Sequence, residues 1–192
     1  MPAELIDPAG LARVVDGAKS GNASVELAGV LAYHRELFDA HVARLGTRKA
    51  GTLLGPRLSE MVRLRSAQLG GCEQCKAARY NDSVEEEDVA CMAFGHGEQF
   101  SPREQVALEY VRLMHVDHFA IDEAVYRGLH EHFTTAEIVE LGMMVAGLLG
   151  IHRFLYTLDL LGTGEPAIAF APEDVYDPAA QPVADGPLAD GP

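Results

Sequence analysis

The sequence predicts an all-α, single-domain helical bundle that assembles as an oligomer, and three observations carry that prediction. Apolar residues recur at helical spacing from about residue 24 to 161, with no sustained alternation of the kind a strand requires. Glycine breaks and a capping motif divide this stretch into helix-sized segments. One segment, Leu141 to Ile151, is apolar on nearly every side and rich in glycine. A helix of that kind is normally buried in the middle of a bundle or in a subunit interface.

The elements follow in order. Residues 1–23 are weakly structured, with one short helix at 8–18 as the only candidate. Residues 24–45 carry Val25, Leu27, Val30, Leu31, Leu37, Phe38, Val42 and Leu45 as an approximate helical stripe, and Gly46 offers a stop. A second helix spans about 57–69, with Leu58, Met61, Val62, Leu64 and Leu69, and is broken by Gly70-Gly71. Cys72 opens a third helix, expected to run through Ala77 and Ala78 towards Asn81. A short acidic helix, 84–94, follows and ends in the turn Gly95-His96-Gly97; its run Glu85-Glu86-Glu87-Asp88 reads as a solvated first turn, where negative charge is favoured. Ser101-Pro102-Arg103-Glu104 is a capping box with proline at the first helical position, and predicts a helix over 102–116. Another helix is expected over 121–132, and Thr134 caps a last one reaching about Leu161. The helical domain is thus 24–162. Residues 163–192 turn to proline, alanine, aspartate and glycine, which reads as a strap and then a tail.

With 192 residues, 48% of them hydrophobic, the chain suits a single core. A formal charge of −14 argues against a nucleic-acid or anionic-membrane partner, because both require a basic face. The opening Met1-Pro2-Ala3-Glu4-Leu5 lacks the basic-then-apolar pattern of a signal peptide, so the expected compartment is the cytoplasm.

The chemistry centres on Cys72-Glu73-Gln74-Cys75. Two cysteines three apart can close a disulfide or share a metal. There is no second such pair and no HxxxH or CxxH spacing, so a structural zinc site would lack its other ligands; neither metal nor cofactor is expected. In a cytosolic chain the pair at a helix start points to redox work, since unpaired backbone N–H groups there favour a thiolate. Arg79, expected one turn beyond Cys75 on the same face, would add a positive charge. The plainer alternative is a pair of reduced, packed cysteines. Glu60 lies on the preceding helix: it is either a proton acceptor, or a surface carboxylate or partner of Arg63. Cys91 reads as a small apolar residue.

Glu60, eleven residues, then Cys72-x-x-Cys75 resembles the signature of the alkylhydroperoxidase D and carboxymuconolactone decarboxylase family, a glutamate, eleven residues and C-x-x-C-x-x-x-H. Tyr33-His34-Arg35-Glu36-Leu37-Phe38 is similar to the family's helix before the site. Phe133 to Leu141, with His152-Arg153-Phe154 after it, is similar to a later one. The resemblance covers roughly residues 26–160 and implies an all-helical, alkylhydroperoxidase D-like fold, commonly trimeric or hexameric. It also implies that Cys75 attacks a peroxide, Cys72 donates a proton and resolves, and Glu60 is the base. The chain departs from the pattern where Arg79 replaces the histidine, because arginine cannot relay a proton near neutral pH.

Other histidines stand as candidates to compensate. His115 and His118 lie near a helix end, where serving the dipole or solvent is the ordinary reading and a metal pair the sharper one. His152 is either a satisfied core residue or a substrate-binding or catalytic one, and His96 sits between glycines. The expected function is a thiol–disulfide oxidoreductase, including alkyl hydroperoxide reduction, with a hydroperoxide or disulfide as substrate and an external dithiol as reductant. Two rivals remain: a cofactor-free decarboxylase-like lyase or isomerase on a small carboxylic acid, with Glu60 as base and Arg79 on the carboxylate, and a redox-sensing oligomer without catalysis.

Overall fold

A computed structural model describes residues 53–94 and 99–157, with isolated positions between 30 and 43. The expected N-terminal segment, most of the 24–45 helix, His96 and the C-terminal strap lie outside the described residues. Helices α1 (Pro56–Gly70), α2 (Glu73–Ala77), α3 (Glu86–Phe94), α4 (Pro102–Val116), α5 (Glu123–His130) and α6 (Thr135–Thr157) make up the fold, with a 3-10 turn at His118–Ala120. There is no strand among the described residues.

The helix starts follow their sequence signals. Ser101 accepts from the Glu104 amide while the Glu104 carboxylate accepts from the Ser101 amide, a complete capping box at α4. Thr134 and Glu137 repeat the reciprocal arrangement at α6. Asp122 caps α5 by accepting from Ala124 and Val125, which starts that helix two residues later than expected.

Helix α1 is the centre of the bundle, packing on α2, α3, α4 and α6. Its Leu58 and Val62 join Ala107, Tyr110, Val111, Leu129, Phe133, Leu141 and Val145 in one apolar cluster. On the opposite side Met61 and Leu64 pack with Val84, Met92 and Phe100 in a second. A helix buried on all sides must also bury its polar residues, and α1 buries Glu60, Arg63, Arg65 and Ser66. Arg57 ties the start of α1 to both flanking helices through Asp88 (2.8 Å) and Glu104 (2.7 Å). Asp88 is therefore paired and largely shielded, where a solvated first turn was expected for the whole acidic run.

Helix α6, the most apolar, behaves differently. Ile138, Leu141, Val145, Leu148, His152 and Leu155 face inward, whereas Val139, Met143, Ala146, Gly150 and Phe154 lie on an exposed face. By length and composition α6 could cross a membrane, a test that core helices of soluble bundles also pass.

Candidate functional site

The site begins with the way α1 ends. Gly71 adopts the left-handed conformation, φ +68°, and a Schellman closure follows: the Gly71 amide donates to Gln68 and the Cys72 amide to Ala67 at 3.1 Å. Only glycine takes that conformation without strain. The closure delivers Cys72 to the position just before α2, where its sulfur accepts from the Cys75 amide at 3.3 Å and its carbonyl from the Lys76 amide at 2.9 Å. Cys72 thus caps the short helix. Cys72 and Cys75 form a disulfide, with Cα atoms 5.2 Å apart. Cys72 is fully buried and Cys75 is partly accessible, so the two cysteines differ in exposure.

Glu60 and Arg63 form a buried bidentate pair beneath it, at 2.6 and 2.8 Å. Arg63 also donates to the Cys75 carbonyl (2.7 Å) and the Ala78 carbonyl (2.6 Å), and stacks over Tyr80 at 4.3 Å. Glu60 in turn accepts from the Tyr80 amide at 3.0 Å. The carboxylate is therefore committed to Arg63 and to the backbone beyond α2, one of the alternatives the sequence left open. Arg63 is the contact that sequence reasoning under-weighted; its only signal was the three-residue spacing from Glu60.

Arg79 requires a correction. Helix α2 stops at Ala77, short of the expected Asn81, so Arg79 is not one helical turn beyond Cys75. Its guanidinium pairs with Glu86 (2.8 Å) and donates to the Lys76 and Ala78 carbonyls, clamping the end of α2 to the start of α3. The Ala78 carbonyl, just past the helix end, accepts from both Arg63 and Arg79.

The residue brought to the cysteines from far along the chain is His152, on α6. The sulfurs of Cys72 and Cys75 and a ring nitrogen of His152 all lie within 4.8 Å of one another. His152 is 4% exposed, hydrogen-bonded to the Ser66 backbone, and its Nδ1 is buried with no partner. Gly70 makes the approach possible, since a Cβ there would sit 2.5 Å from Nδ1. Burial, followed by the charges of His115 and Arg63, pushes the ring down to about 4, so it is neutral near pH 7. His115 is half-buried rather than solvated, and is also pushed down to about 4, by burial and then by Arg153 and Arg65. His118 remains exposed and stacks on Phe119. Cys91 is partly buried beside the second apolar cluster.

A cleft of about 480 Å³ runs along α1, α2 and α3, lined by Leu64, Leu69 and Val89 with Arg65, Gln68 and Lys76. Burial and the neighbouring Arg112 lower the Arg65 pKa. The cleft therefore joins apolar walls to two cations, one of them adjacent in sequence to Cys75. No protein-family model matches the chain, and no curated protein matches it.

Proposed function

We propose that the chain is a thiol–disulfide oxidoreductase of alkylhydroperoxidase D-like type that reduces small hydroperoxides or disulfides. The observation that carries the reading is the asymmetry of the pair, in which Cys72 is buried and accepts an amide hydrogen bond while Cys75 is accessible. Access makes Cys75 the attacking thiolate. It takes the distal oxygen of a hydroperoxide, the O–O bond breaks, the alkoxide leaves with a proton, and Cys75 becomes a sulfenic acid. Cys72 then displaces water and closes the disulfide. An external dithiol attacks Cys75, and Cys72 leaves as the thiolate that the Cys75 amide stabilises.

In this scheme His152 is the titratable side chain beside the sulfurs, neutral and able to take a thiol proton and return it to the leaving oxygen. Glu60 and Arg63 are positioning residues that fix the backbone of Cys75 and Ala78. The lyase alternative draws no support from the geometry, because Glu60 is 2% exposed and Arg79 is engaged with Glu86. The exposed apolar face of α6 supports homo-oligomerisation, with a second copy covering it.

Single-turnover peroxide consumption tests the scheme. Cys75→Ser should abolish it. Cys72→Ser should retain one turnover and trap a sulfenic acid at Cys75. If instead Cys72 traps the oxidised sulfur, the assignment of roles is reversed.

A further inference from the structure

The three groups of the redox scheme, Cys72, Cys75 and His152, also have the composition of a metal-ligand set once the pair is reduced. With the disulfide closed, the two sulfurs and an imidazole nitrogen lie within 4.8 Å of one another, and opening it frees both sulfurs as ligands. Tetrahedral zinc, with Zn–S about 2.3 Å and Zn–N about 2.0–2.1 Å, places its ligand atoms about 3.5–3.8 Å apart. Small adjustments within the present spacing would reach that geometry. The histidine is also buried, and its Nδ1 has no hydrogen-bond partner. Gly70 leaves room for the ring against α1. Two thiolates and a neutral imidazole around a divalent cation sum to zero charge, which suits a site where Cys72 is fully buried.

We propose that the reduced protein binds one Zn²⁺ through Cys72, Cys75 and His152, with the fourth position open on the accessible Cys75 side. The thiolate-rich set selects a borderline-soft ion over Mg²⁺ or Ca²⁺. Binding releases the two thiol protons, and oxidation ejects the metal. The two sulfurs give up two electrons and form the S–S bond; a hydroperoxide takes those electrons with two protons, giving an alcohol and water, and Zn²⁺ leaves with its charge unchanged. The inference rests on the same three residues as the proposed function and on a disulfide that can be opened, which a thiol count checks separately.

The test uses Co²⁺ as the probe on the full chain, reduced and then freed of reductant, with two reactive thiols at the pair confirmed beforehand. One Co²⁺ per chain should bind, with sulfur-to-metal charge transfer and the intense visible bands of tetrahedral cobalt, and Zn²⁺ should displace it. The disulfide form should bind none. Cys75→Ser should remove the charge-transfer intensity from that sulfur. His152→Gln should weaken binding by more than the roughly 10–100-fold that loss of an outer-shell partner costs, with helical content by circular dichroism showing the variant folded. Reduced, folded wild type that takes up no cobalt overturns the proposal, as does a His152→Gln protein with unchanged affinity and spectrum. Peroxide turnover is measured beside these on the metal-free wild type, so that failure to bind cobalt and failure to reduce peroxide are read separately.

Discussion

Glycines 70 and 71 are adjacent but answer to different constraints. At Gly71 the constraint is conformational, φ +68°, and alanine there should cost about 1–2 kcal/mol with the site otherwise intact. At Gly70 it is steric, because a methyl group would meet His152 Nδ1 at 2.5 Å. Gly70→Ala should cost about 1–3 kcal/mol through overpacking, and it should also change how readily the cysteine pair reacts. Denaturant melts beside alkylation rates separate the two: if both variants slow the thiols equally, His152 has no special bearing on the pair. The Glu60–Arg63 pair makes a second prediction at this scale. Removing the charge with Glu60→Gln leaves a buried guanidinium uncompensated and should destabilise the fold by about 3–5 kcal/mol. A loss under 1 kcal/mol in the same melts would show that the pair is solvated.

Among the elements, α2 and α6 decide most. The shortness of α2 puts Arg79 beyond the helix end, in a link with the exposed Glu86. Arg79→Ala should therefore change stability by under about 1 kcal/mol and leave Cys75 reactivity close to wild type. A large drop in the alkylation rate of Cys75 would return Arg79 to the site. Helix α6 presents Val139, Met143 and Phe154 to the outside, at 60%, 69% and 46% exposure. Met143→Glu places a charge in the middle of that face, and light scattering should show a smaller particle with unchanged helical content. A monomeric wild type at micromolar concentration would sink the proposed assembly.

Acid stability belongs to the whole molecule, because its groups sit on different helices. His152 and His115 are held near 4 in the fold against about 6.5 when unfolded. Between those values the unfolded chain binds more protons, so their contribution is complete above about pH 6.5 and is lost as pH falls towards 4. For His152 alone the loss is on the order of 2–3 kcal/mol. Glu137, pushed down to about 2 by the Thr134 backbone and Arg103, acts in a lower window: its contribution is present above about 4.5 and lost on the way to 2. Denaturant midpoints between pH 7 and 4 should decline, and His152→Gln should flatten the curve. A flat wild-type profile in that window would mean the rings are solvated.

Local signals were legible in the sequence because they act over a few residues. The capping residues Ser101, Glu104 and Thr134, the Gly70-Gly71 break and the helical spacing of α1, α3, α4 and α6 all depend on neighbours within about one turn, and the all-α class follows from them. The cysteine spacing likewise places the pair at one turn of chain. Three matters waited for the tertiary structure. The polar α1 became the central helix, and the apolar α6 kept an uncovered face, because burial is set by which helices surround a helix rather than by its own composition. Arg79 turned to Glu86 because α2 ended early. His152 reached Cys72 and Cys75 from another helix across the chain, a contact made by the packing of α6 on α1 and by the missing side chain of Gly70, and no spacing along the sequence encodes it.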